Sequence, residues 1–141
     1  MFFAGSERDE LRRRYYQAWQ RRQQCLPLEP LDAAIADVVE LHPEYHALFA
    51  TPDALHEAFT VERGQTNPFL HMGLHLGLRE QLATRRPAGI EAVHARLARK
   101  LGGVHEAEHQ MIEMLATTLW EAQRAGRAPD ELAYLERLKC L

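Results

Sequence analysis

The sequence predicts an all-α protein: a compact, single-domain array of about six to eight helices around a central buried helix at residues 68–84. Three observations lead there. Apolar residues recur at helical spacing, as in Leu11, Tyr15, Ala18 and Trp19. Prolines stand where helices can begin, at Pro30, Pro43, Pro52, Pro68, Pro87 and Pro129. A first turn tolerates proline because its missing N–H has no partner there. No stretch alternates apolar and polar residues long enough to make a strand.

Taken in order, Ser6 followed by Asp9 resembles a capping box and opens a helix over 7–24. Further helices are expected at 30–41, 43–50, 52–59, 68–84, 87–101, 104–125 and 129–139. Thr51 and Asn67 supply capping side chains just before a proline. Gly102-Gly103 and Gly126 read as stops. The segment Thr60–Thr66, with Gly64, is the expected mobile loop. Connections this short fit one domain over 1–141, and 141 residues suffice to bury one core.

Composition is that of an ordinary globular chain, with 46% hydrophobic and 26% charged residues. The net charge of −3 removes any electrostatic case for nucleic acid or an anionic membrane as partner. Arg12, Arg13, Arg14, Arg21 and Arg22 follow the acidic Glu7, Asp9 and Glu10, and read as one solvated helix face. Cys25 and Cys140 are too few and too far apart for a disulfide framework or a thiolate metal knot, so reduced thiols and a cytoplasmic location are expected. Met1-Phe2-Phe3 gives way to charged residues, unlike a secretion signal. No apolar run approaches the ~20 residues that cross a bilayer.

The histidines carry the chemistry. Of eight, six form three pairs at four-residue spacing: His42 and His46, His71 and His75, His105 and His109. Random placement would give about 0.4 such pairs, so the spacing is not accidental. On a helix it puts both imidazoles on one face, about 6 Å apart, where they can share an ion. In helix 68–84, His71, His75, Leu78 and Leu82 share a face, while Phe69, Leu70, Met72, Leu74 and Leu76 cover most of the rest. A helix apolar nearly all round is expected to be buried, and Gly73 and Gly77 offer a patch for a close neighbour. In helix 104–125, His105 and His109 share a face with Ile112 and Ala116, and Glu113 stands one turn beyond His109. Glu108 falls on the opposite flank, and Glu44 and Glu80 point away from their histidines. His56 and His94, being single, read as ordinary core histidines.

Buried imidazoles need partners, because an unsatisfied buried polar group costs about 1–3 kcal/mol. A transition-metal site meets that need. The expected ligands are His71, His75, His105 and His109, with His42, His46 and Glu113 completing that site or a second one. Six imidazoles exceed one tetrahedral ion, so two ions, or one ion with a hydrogen-bonded outer layer, both fit. Zinc or iron leads among the ions such ligands suit. The segment His105-Glu106-Ala107-Glu108-His109 also matches HExxH, in which the glutamate activates a zinc-bound water. Glu106 is therefore the candidate base of a metal-dependent hydrolase or non-haem oxidative enzyme. A non-enzymatic, hydrogen-bonded polar core without metal is the remaining alternative.

The strings His42-Pro43-Glu44-Tyr45-His46, Asn67-Pro68-Phe69-Leu70-His71-Met72-Gly73-Leu74-His75-Leu76 and His105-Glu106-Ala107-Glu108-His109 resemble a family of small bacterial proteins, mainly proteobacterial. That family is catalogued as a domain of unknown function, and the resemblance implies no activity. It runs over nearly the whole chain, including Trp120-Glu121-Ala122-Gln123-Arg124. A looser likeness, of chemistry and not kinship, is to hemerythrin-type bundles, in which paired histidines and carboxylates hold two irons. The proline-broken short helices here depart from that pattern.

Overall fold

A computed structural model describes residues 5–53 and 67–141. The expected helix 52–59, the loop Thr60–Thr66 and His56 fall wholly or almost wholly outside those residues. Among the described residues are six α-helices, one 3₁₀ helix and no strand. The α-helices are α1 (Gly5–Gln23), α2 (Pro30–Glu40), α3 (Pro68–Thr84), α4 (Ile90–Leu101), α5 (Val104–Ala125) and α6 (Glu131–Lys139); Pro43–Phe49 is the 3₁₀ helix. The chain divides into two compact units, Met1–Met72 and Gly73–Leu141, with α3 running unbroken through the boundary.

In the first unit α1 and α2 pack together. Tyr15, Ala18 and Trp19 of α1 are buried at i, i+3, i+4 spacing, as are Ile35, Val38 and Val39 of α2. Phe49 and Phe69 add a cluster of edge-on rings, with Phe69 6.0 Å from Tyr15 and 5.9 Å from Phe49. Two arginines of the basic stretch of α1 are tied to α2. Arg14 pairs with Asp32 at 2.8 Å, and Arg22 with Asp37 at 2.6 Å. Arg12 departs from the solvated face expected of it. It is buried, its guanidinium 4.8 Å above the Phe69 ring, where the apolar stem and the ring face both favour it.

In the second unit α4, α5 and α6 enclose Leu78, Ile90, Val93, Leu97, Met111, Ile112, Leu115, Tyr134, Leu135 and Leu138. Each such aliphatic side chain contributes about 1.5–3 kcal/mol when fully buried. The Tyr134 hydroxyl donates to Gln81 Oε1 at 2.9 Å, so its polar tip is satisfied at the edge of that core. Gly102 and Gly126 close α4 and α5 at φ +84° and +67°, the left-handed conformation that suits glycine. Asp130 caps α6 through the Ala133 amide at 3.0 Å. On α5, Trp120 lies in solvent under Arg124, whereas Trp19 of the first unit is buried.

Three elements differ from expectation. Helix 43–50 is 3₁₀, not α. Helices 87–101 and 129–139 start later, at Ile90 and Glu131, leaving Pro87 and Pro129 in the approach. Helix α3 opens as expected, with Asn67 Oδ1 accepting from the Phe69 and Leu70 amides at 3.0 and 3.2 Å. It is not covered all round: Phe69, Met72, His75 and Leu78 are buried, but Leu70 is 62% exposed. Nor does Gly77 admit a neighbour, since a Cβ there would meet nothing within 4 Å.

Candidate metal centre

The C-terminus of α2 explains the first histidine pair. The last carbonyls of a helix have no partner within it. His42 Nδ1–H donates to the Val38 carbonyl at 2.7 Å, and His46 Nε2–H donates to the Val39 carbonyl at 2.8 Å. Both rings thus close the end of α2. They do not share one face, because a 3₁₀ helix repeats every three residues and sets i and i+4 about 120° apart. The i+3 residue takes that place. Tyr45 stacks on His42 at 5.5 Å and 12°, while His46 turns to Trp19, 4.5 Å away.

His42 is fully buried and meets His71 of α3 edge-on, with ring centroids 4.9 Å apart. The two can each offer a ring nitrogen within 4.8 Å of the other. His71 and His75 stand one turn apart on α3. In the second unit His75, again fully buried, meets His109 of α5 at 5.5 Å between centroids, with nitrogens within the same limit.

Hydrogen bonds set the tautomers. A ring nitrogen facing a carbonyl or carboxylate oxygen carries the proton, so in the neutral imidazole the other nitrogen carries the lone pair that can ligate a metal. For His42 the Val38 carbonyl makes that nitrogen Nε2. His109 Nδ1–H donates to the His105 carbonyl at 2.9 Å, again selecting Nε2. His75 Nε2–H donates to Glu108 Oε1 at 2.7 Å, which selects Nδ1.

Glu108 is the main correction to the sequence reading, which set it on the far flank of the helix. Its side chain is only 4% exposed. Oε1 accepts from His75 and from Arg79 at 3.2 Å, and Oε2 accepts from His94 at 2.9 Å. Burial alone would raise its pKa; the His75 and His94 hydrogen bonds and the Arg79 charge reverse that and hold it at about 2. The carboxylate is therefore ionised throughout the physiological range. His94, expected to be an isolated core histidine, is held by this same carboxylate.

A signal for Glu108 was present. It lies on the stripe of Met111, Leu115 and Thr118, all buried, and a carboxylate within an apolar stripe needs compensation. Choosing His105 and His109 as the inner face rotates the helix by one residue and turns Glu108 outward. In the structure His105 is exposed, its ring 4.1 Å from His109, and Glu106 and Glu113 are exposed as well. His46, His105, Glu106 and Glu113 stand outside the pairs formed by His42 with His71 and His75 with His109.

Fold and site together define a helical protein with paired imidazoles and a buried, ionised carboxylate behind one of them. The chain belongs to the family described as Domain of unknown function (DUF1841), whose model matches residues 7–140. No curated protein and no solved structure gives a match. Among the described residues, no helix is long and apolar enough to cross a membrane.

Proposed function

We propose that this protein binds one or two transition-metal ions, zinc or iron, through its imidazole pairs, His42 with His71 in the first unit and His75 with His109 in the second. The observation that carries the reading is the tautomer pattern: three of these four imidazoles have one N–H fixed by a carbonyl or carboxylate acceptor. Metal-ligating histidines are oriented in this way by their outer partners. Helix α3 supplies His71 and His75 one turn apart, and each has a histidine neighbour from another element. Imidazole pairs without thiolate suit a borderline divalent ion and not a hard one such as magnesium or calcium.

Elemental analysis of protein purified without a histidine tag tests this directly. One or two ions per chain are expected in the wild type, and a lower content in each of His71→Ala and His75→Ala. Wild-type protein that takes up neither zinc nor ferrous iron on reconstitution would sink the proposal. A second reading, a hydrogen-bonded polar core without metal, draws on the Glu108 network, which protein donors alone satisfy.

A further inference from the structure

We infer that Glu108 is a positioning residue for the metal centre, acting through His75 to fix its ligating nitrogen and strengthen it as a donor. The inference rests on the metal reading above and adds a determinant of affinity that touches no ion itself. Glu108 Oε1 accepts the His75 Nε2 proton at 2.7 Å, so in the neutral ring Nδ1 is the nitrogen whose lone pair can ligate. A full negative charge on that acceptor draws the proton toward it and leaves more electron density on Nδ1, which makes the imidazole a stronger donor.

The surroundings show that the carboxylate is held in place. A buried carboxylate is costly unless its oxygens are hydrogen-bonded, and here both are. His94, on the neighbouring helix α4, takes Oε2 at 2.9 Å, while Arg79, one turn beyond His75 on α3, reaches Oε1 at 3.2 Å. With one oxygen anchored on α4 and the other on α3, the carboxylate cannot rotate away from His75. Packing alone would be served by the Leu or Met found elsewhere on this stripe of α5. A charge with three donors converging on it points to a task that needs the charge.

The test compares Glu108→Gln, which keeps shape and an acceptor but removes the charge, with Glu108→Ala, which removes both. Cobalt(II) serves as the probe because its visible spectrum reports ligand geometry. Loss of an outer partner of a ligating histidine weakens binding by about 10–100-fold. Glu108→Gln is expected at the lower end of that range and Glu108→Ala at the upper end, with cobalt absorption bands displaced in both. Affinity is measured by competition with a chromophoric chelator on protein whose folding is checked by circular dichroism. Should the Ala variant not fold, the Gln variant decides. A merely structural role would change the denaturation midpoint of the metal-free protein and leave affinity and spectrum at wild-type values; that result would overturn the inference while leaving the metal reading intact. Wild-type protein that binds no cobalt overturns both.

Discussion

On the metal reading, stripping the ion should lower the melting temperature by on the order of 10 °C, and adding it back should restore the loss. An ion that binds the folded chain and not the unfolded one adds RT ln(1 + [L]/Kd), about 2.7 kcal/mol at a free concentration 100-fold above Kd. For a chain of this length each kcal/mol moves the midpoint by roughly 3–4 °C. The shift should grow with free metal concentration and shrink in His71→Ala, which leaves His42 without its partner imidazole. Differential scanning calorimetry with and without a verified chelation step provides the measurement. Melting curves that coincide before and after complete metal removal would favour the polar core over the ion.

Helix α3 yields a second large effect, through two leucines of opposite fate. Leu78→Ala removes a fully buried side chain from the core of the second unit and should cost about 3 kcal/mol, the middle of the range for such cavities. Leu70→Ala, at a position 62% exposed, should change stability by less than about 0.5 kcal/mol. Urea denaturation of the two variants gives the comparison. Similar losses from both would mean that Leu70 is covered in solution, and the helix would then be buried on more sides than the structure shows.

The same two residues mark where the sequence is readable and where it is not. Helix positions follow from proline, glycine and capping chemistry local to each end, so α2, α3 and α5 were legible almost to the residue. Which sides of a helix are covered depends on neighbours far away in the chain, and hydrophobicity alone placed Leu70 with Leu78. His42 and His46 show a different limit. Their spacing was read with the α-helical repeat, and only the 3₁₀ winding reveals that Tyr45 and not His46 shares a face with His42. On α3 the helix is regular, so His71 and His75 do stand one turn apart, as their spacing implies. Glu108 was lost through a one-residue error in choosing the inner face of α5. The error was avoidable: the apolar stripe of Met111, Leu115 and Thr118 passes through it.

Each unit carries one of the chain's two tryptophans, Trp19 buried in the first and Trp120 open to water in the second. The two side chains should therefore emit at different wavelengths, the buried one to the blue and the exposed one to the red. Trp120→Phe leaves emission from the first unit only, and Trp19→Phe leaves emission from the second. Denaturation curves recorded from these two proteins ask whether the halves melt together, since coincident transitions from separate probes are the signature of a cooperative fold. With α3 running unbroken from one unit into the other, the two curves are expected to superimpose after correction for each substitution's effect on stability. Curves separated beyond that correction would make the helix a flexible tether between two independently folding halves.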